Sequence, residues 1–543
     1  MNKPRLIIAL IPAVLAIGLI GGVFIGRTFF DRPLNSNEEK LRMMMGLIDT
    51  EYVDEVNLDS IMEGTYAGLL SMLDPHSVYI PQSEVETVTD ELEGSFSGVG
   101  VSFQIMADTV NIIEIVAGGP GETVGLKPGD KILKANDIDL TGKNANTENV
   151  YKNLRGPRGS EVTLTVKRAN SPKLLTFKVT RGDVPQTSVD ANYLIGDKLG
   201  YIKVSKFART TYEEFSHALQ NLSAKGAEKF IIDLRGNSGG YMDQAVLMAN
   251  EFLPSDRMIV YTKAKNPINE SFAISTGRGR YLNNEIVVIT DEFSASASEI
   301  FAGAIQDNDR GLVIGRRTFG KGLVQNQFPL NDNSAVRLTV ARYYTPSGRS
   351  IQKEYKLGES GKYELDLSER YSHGEFYNAD SIKLDKSKTF LTTTGRPVYG
   401  GGGIMPDIFV PEDTLGMTSY YINVSNGGHL QQYAYKIAEE NRTKLSQSKN
   451  LKQFLANLPD DDTLLQGFVE YAASKGVPAR WYYINQSSDL ILRQLKAIIA
   501  RDAVGYGLFI EILNSSDKTV DRAIKALSSG ESPTYILSDK KQE

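Results

Sequence analysis

Three short segments of this chain carry residue types that can do chemistry. The first is 291–299, Asp-Glu-Phe-Ser-Ala-Ser-Ala-Ser-Glu, which follows the apolar run 286–289 and leads into a helical pattern. A serine on such a strand-to-helix turn exposes its hydroxyl at the carboxyl end of the strand. Helix amides lie beside it and the helix dipole favours negative charge there. That suits a nucleophile and the oxyanion its attack creates. The same residues also fit a capping box from Ser296 to Glu299, in which the hydroxyl only closes the helix. The segment by itself leaves both readings open.

The second segment is 315–322, Gly-Arg-Arg-Thr-Phe-Gly-Lys-Gly. It approaches the phosphate-binding pattern G-x-x-x-x-G-K-[ST], but Gly322 has no hydroxyl for a magnesium ion. A strand-like run, 323–328, follows where a helix should, so nucleotide binding is not expected. One alternative is a glycine hairpin tip with a solvated lysine. Another is that Phe319 and the bare glycines strip water from Lys321. Desolvation disfavours the ammonium, and a neutral lysine amine is a base.

The third segment, 236–240, reads Gly-Asn-Ser-Gly-Gly and matches G-x-S-x-G between a strand and a helix. A nucleophilic Ser238 would need an acid and then a histidine later in the chain. Of the four histidines only His373 and His429 follow it, both in polar, loop-like stretches. Alternatively, N–H groups of this glycine turn form half of an oxyanion hole.

Alternating strands and helices must position these segments. Residues 201–204 and 230–234 read as strands, with a helix over 211–224 between them. A helix is expected over 241–252, a buried strand over 286–289, a helix from about 296 to 305, and a strand at 312–314. This βαβ alternation predicts an α/β core with parallel pairing. Before it, 92–180 is rich in glycine and β-branched residues and predicts a small β module. A helical pattern occupies 38–73. Helices return from 419 onward, one of them capped by Ser488-Asp489 with Ile491, Leu495, Ile498 and Ile499 on one side.

Composition narrows the function. The 543 residues suit two to four domains, and 41% hydrophobic with 23% charged residues is ordinary for a folded chain. A net charge of −6 provides no electrostatic footprint for nucleic acid. With no cysteine, thiolate metal sites, disulfides and cysteine nucleophiles are excluded. No metal or cofactor is implied. Lys3 and Arg5 precede an uncharged run over 6–25, long enough to cross a bilayer core. A signal peptide, the competing reading, would have a shorter apolar region and a small-residue cleavage site. The expectation is an uncleaved single-pass anchor at 6–26 in the inner membrane, with 1–5 cytoplasmic and the remainder periplasmic.

Together, 230–240, 294–300 and 318–325 resemble the carboxyl-terminal processing (tail-specific) peptidases, as do 73–80, 343–349 and 399–407. Each motif is modest; their joint order is specific. The resemblance implies a crotonase/ClpP-like protease core at 184–412, an inserted PDZ domain at 91–183, an N-terminal helical region at 36–90 and a helical C-terminal domain at 413–543. It implies Ser296 as nucleophile, Lys321 as base and Gln325 as the group that orients the lysine. The oxyanion hole is similar to one built from the N–H groups of Ala297 and Gly240, which leaves Ser238 as a turn residue. Gly98, Val99, Gly100 and Val101 look like the carboxylate-binding loop of a PDZ domain, which captures a chain terminus through free backbone N–H groups. Protein or peptide substrates bound by their C-terminal tails follow as partners. A homodimer through the N-terminal region, or an adaptor on the C-terminal one, is a further expectation. His76 and Arg235 are assigned to structure, as a turn contact and an ion pair. The competing functions are a Ser238–histidine esterase and a non-catalytic PDZ scaffold.

Overall fold

The computed structural model describes residues 36–106, 108–169, 171–383 and 385–533. Two units separate, Met1–Leu70 and Ser71–Glu543. In the first, the described residues form helices Ser36–Glu51 and Leu58–Ser71, as the 38–73 pattern predicts.

The placement in the inner membrane does not stand. Among the described residues no helix is long and apolar enough to cross a membrane. The longest described helix, Trp481–Ala503, has 23 residues but carries Asp489, Arg493, Lys496, Arg501 and Asp502. The segment 6–26 lies outside the described residues. The membrane as partner and the periplasmic placement are withdrawn with it.

The second unit is organised by a six-stranded sheet. In chain order its elements are β1 (Val189–Ile195), β2 (Leu199–Val204), α1 (Thr211–Ala224), β3 (Lys229–Asp233), α2 (Met242–Asn250), β4 (Ile286–Thr290), α3 (Ala297–Asp307) and β5 (Leu312–Gly315). The short strand Ile408–Phe409 completes the sheet beside β5. β2 to β5 are parallel, and β1 runs antiparallel to β2. β2 to β5 are largely apolar on both faces, and the period of two divides their side chains between two cores. Ile202, Phe230, Ile232 and Val288 face a core shared with α1, α2 and α3. Tyr201, Ile231, Val287 and Ile314 face a second core closed by Val520, Ala523 and Leu527 of the C-terminal helix Lys518–Ser529.

A second sheet holds β6 (Leu323–Pro329) and β7 (Ala335–Tyr344), the latter flanked by Val78–Ile80 and Met258–Ala264. After it comes α4 (Ser360–Ser372). Strand β6 directly follows the 315–322 loop, so the helix that a phosphate-binding loop requires is not there.

The inserted β module has its own core around Val110, Ile112, Ile132 and Leu164. Its ends pair with each other, Ser95–Gly98 with Gly182–Pro185. Val101–Met106 is an edge strand, paired with Thr109–Ile115 on one side only among the described residues. Helix Thr147–Leu154 belongs to the same module. The turn at 125–130 is pinned by Asp130, whose carboxylate takes two hydrogen bonds of 2.7 Å from Arg168.

The C-terminal helices enclose a separate core that includes Val424, Leu430, Phe454, Phe468 and Ile491. Tyr435 of this region donates to Asn111 Oδ1 of the β module at 3.1 Å. The helix expected to start at Ser488-Asp489 starts at Trp481 instead. Ser488 donates back to the carbonyl of Asn485 at 3.0 Å, the bond of a mid-helix serine and the opposite of a cap, which accepts an N–H from the turn that follows.

At the end of α3, Arg349 is fully buried against Asp307 at 2.8 Å. Gln306 Oε1 and the Tyr399 carbonyl accept from the same guanidinium at 2.6 and 2.9 Å. Arg349→Met would leave the Asp307 carboxylate buried without a counter-charge. The expected loss of stability is about 3–5 kcal/mol, read as a lowered unfolding midpoint in chemical denaturation.

Candidate active site

Ser296 stands at the N-cap of α3 with φ 55° and ψ −113°. A helix cap ordinarily sits in the β region. A non-glycine residue at positive φ costs roughly 1–3 kcal/mol and persists only where its surroundings dictate it. The capping box with Glu299 is present, but capping does not account for this backbone.

The surroundings that dictate it are the 236–240 turn and Asp291. The Ala295 N–H and the Ser298 hydroxyl both donate to the Asn237 carbonyl at 2.9 Å. Asn237 is itself held, donating to the Val204 carbonyl at 3.0 Å and accepting from the Gly239 N–H at 2.9 Å. Asp291 accepts the N–H groups of Gly236, Phe293 and Ser294 at 2.9, 3.1 and 3.0 Å. A Cβ on Gly239 would lie 2.7 Å from Ser296 Cβ and 3.0 Å from the Ala297 nitrogen. The glycine turn therefore abuts the serine, and no side chain fits between. Among the described residues, the N–H groups of Ala297 and Gly240 donate no hydrogen bond. They are the pair expected to hold an oxyanion.

The loop carrying Lys321 is tied to the same turn by two side chains. Tyr343, at the end of β7, donates from one hydroxyl toward the carbonyls of Lys321 at 2.5 Å and Ser296 at 3.1 Å. Glu299 spreads its carboxylate across both segments. Its Oε2 accepts the N–H groups of Ser296 at 2.9 Å and Lys321 at 2.8 Å, and its Oε1 accepts the N–H of Gly320 at 2.8 Å and the Thr318 hydroxyl at 2.5 Å.

Burial pushes the Lys321 pKa below its ordinary value and Arg337 adds repulsion, while Glu299 and Asp74 pull the other way. Among the described residues Lys321 Nζ makes no ion pair, and no hydrogen bond joins it to Ser296 Oγ. Gln325, four residues on along β6, follows a bulge between Val324 and itself. Its Nε2 is buried with no hydrogen-bond partner among the described residues, so the contact expected with Lys321 is not made here. Catalytic hydrogen bonds are often long in a free enzyme and tighten with substrate.

The remaining candidates fall as follows. Ser238 is exposed, and no hydrogen bond joins it to a histidine among the described residues. His373 is exposed and bonds the Glu369 carbonyl at 2.7 Å. Arg235 makes the expected ion pair, with Asp233 at 2.6 Å and with Asp517 at 2.7 Å. His76 makes its turn contact through its backbone N–H, which donates to Asp74 Oδ1 at 3.0 Å, while its ring Nε2 meets the distant Tyr363 hydroxyl at 2.8 Å. It also lies close enough to Lys321 that burial and that charge together hold its pKa at about 4, a proximity the sequence does not disclose.

Comparison with known proteins gives the family. Residues 198–358 match peptidase family S41, 112–168 match a PDZ domain, and 420–505 match a family of unknown function. The carboxy-terminal processing protease CtpB of Bacillus subtilis is 33% identical over 351 residues, which cover 64% of this chain and 72% of that one. CtpA of the same organism is 32% identical, covering 59% and 68%. The carboxy-terminal-processing protease of Bartonella bacilliformis is 33% identical, covering 56% and 70%.

The chain belongs to the carboxy-terminal processing serine proteases of family S41. The expected architecture, an S41 core with an inserted PDZ domain and helical flanks, is the one observed.

In the protease's PDZ domain, the 98–101 loop lies where Gly98 meets Arg155 in an isolated bridge. Gly100 has φ 74°, and a Cβ there would approach Gly119 Cα at 3.2 Å. Among the described residues the N–H group of Gly100 donates no hydrogen bond. Arg155 stacks over Phe96 and Tyr151 at 4.4 and 4.8 Å, which brings a cation beside this loop. Sequence reasoning passed over Arg155, Tyr343, Asn237 and the second role of Glu299. Tyr343 and Asn237 lie within the motifs 343–349 and 236–240 and Glu299 three residues after Ser296, but no pattern there disclosed the bonds they make.

Proposed function

We propose that the protease cleaves proteins near their C-termini with a Ser296–Lys321 dyad, after its PDZ domain has captured the substrate's tail. One observation carries the reading: a serine in a backbone conformation that capping does not require is fastened, through Tyr343 and Glu299, to a loop bearing a desolvated lysine that makes no ion pair among the described residues.

The substrate's terminal carboxylate docks on the N–H groups of the 98–101 loop, and its chain adds to the free edge of Val101–Met106. Neutral Lys321 Nζ takes the proton of Ser296 Oγ, which attacks the peptide carbonyl carbon. The oxyanion is held by the N–H groups of Ala297 and Gly240. Lys321 passes its proton to the leaving amine and an acyl-enzyme ester remains. Lys321 then draws a proton from water, the hydroxide attacks the ester, and Ser296 recovers its hydrogen. Gln325 orients the lysine through its carbonyl oxygen Oε1, which accepts from the amine as substrate closes the site.

Tail capture is tested with an unfolded reporter protein carrying a free or an amidated C-terminus, its fragments weighed by mass spectrometry. Hydrogen bonds to a charged group contribute about 1.5–3 kcal/mol, so amidation is expected to raise KM roughly ten- to a hundredfold with little change in kcat. Equal KM values for the two reporters would rule out recognition of the terminus. Binding without shortening would leave only a scaffold.

A further inference from the structure

We propose that Glu299 is the positioning residue of this site, its ionised carboxylate holding the nucleophile turn and the base loop in a single geometry. The inference builds on the roles proposed above for Ser296 and Lys321.

A carboxylate is acceptor-only, with about four lone-pair positions. Glu299, with no exposed surface, has four donors on it at 2.5–2.9 Å. Three are backbone N–H groups, which cannot turn round to accept. Protonation makes one oxygen a donor, so at least one of these bonds must break or reorganise. The two amides on Oε2 belong to Ser296 and Lys321 themselves, so any such change alters the placement of nucleophile against base.

The charged and titratable groups around it come from four elements. Lys321 lies on the base loop. Lys353, on the segment after β7, is paired with Asp366 at 3.0 Å and reaches Glu299 only through space. Tyr343 on β7 and Tyr363 on α4 are phenols whose pKa values burial raises, so both face Glu299 neutral. Arg370 on α4 donates to the Thr318 carbonyl at 3.1 Å, not to the carboxylate. Among the described residues no cation hydrogen-bonds to Glu299. Burial therefore outweighs the four hydrogen bonds and moves the carboxyl up to about 7.

The sign follows. The ionised fraction grows as pH rises through about 7, the four-bond clip tightens, and the rate climbs. This step is separate from the one governed by loss of the Lys321 proton. A misplacement of about 1 Å in an active site can cost about 10²-fold in rate.

The test is kcat/KM against pH, from about 5 to 9, for the full chain acting on the unfolded reporter. The wild type is expected to show a step near pH 7. Glu299→Gln should lose that step and run about 10²-fold slower at about pH 8. Its lysine-governed step should move to lower pH, since the charge that raises the Lys321 pKa is gone. Thr318→Val removes one bond that favours the anion, so it should keep the step but shift it to higher pH. If circular dichroism shows Glu299→Gln unfolded, the Thr318→Val profile decides alone. A wild-type profile without the step, or a step that Thr318→Val leaves in place, overturns the proposal. Failure of the Ser296–Lys321 reading would appear separately, as turnover that survives Ser296→Ala.

Discussion

Ser296→Ala and Lys321→Ala are each expected to abolish cleavage, with kcat reduced about 10⁶-fold for the serine and 10⁴- to 10⁶-fold for the lysine. Members of a nucleophile–base pair act as a unit, so removing either costs nearly as much as removing both. A factor of 10⁶ corresponds to about 8 kcal/mol of transition-state stabilisation. The double variant should therefore be scarcely slower than the worse single one. Neither change should weaken the fold: Lys321 Nζ makes no ion pair among the described residues, and the bonds that fasten its loop come from backbone groups. Lys321→Arg should be as inactive as the alanine variant, because a guanidinium stays charged. In the wild type the neutral amine grows with pH, so the lysine-governed step must rise toward alkaline pH. Its midpoint should fall below 10.5, the value burial moves it from. Steady-state kinetics on the reporter, with melting curves as controls, check all four variants.

Gly240→Ala is expected to be the next most damaging change. At φ 139° and with the Phe207 carbonyl oxygen 2.2 Å from where a Cβ would stand, the turn cannot keep its place and accept a side chain. The Gly240 N–H would swing away from the point it shares with Ala297. Loss of one oxyanion donor typically lowers kcat about 10²- to 10³-fold. KM should change little, since the proposed grip on the tail lies on the PDZ domain. Melting curves should fall too, because the positive φ and the backbone clash both strain the folded turn, so kcat is compared well below the variant's unfolding range. A large rise in KM with kcat intact would place the turn in ground-state binding and not in the oxyanion hole.

How far the sequence discloses this architecture depends on the range of each interaction. The core strands were legible because both faces are buried, which leaves unbroken apolar runs such as 230–232 and 286–289. Helix α1 was read with its observed bounds, Thr211–Ala224, from one apolar face. The start of the Trp481–Ala503 helix was not, because Ser488 and Asp489 mimic a cap while the true start carries aromatics. At the site, the turns at 236–240, 291–299 and 315–322 showed themselves through glycine and serine spacing. What links them did not. Tyr343 lies far along the chain from Ser296, and its hydroxyl acts on backbone carbonyls that no residue pattern encodes. Glu299 looked sufficient as a cap, and its reach to Lys321 depends on a loop folding back onto α3. The membrane-spanning expectation followed from hydropathy at 6–26 and has no counterpart among the described helices.

The most direct test of the Ser296–Lys321 chemistry is peptide mapping after reaction with a fluorophosphonate that forms a stable adduct with an activated serine. The adduct is predicted on Ser296 in the wild type and should disappear in Lys321→Ala. An adduct on Ser238, or one on Ser296 that forms equally fast without Lys321, would contradict the account.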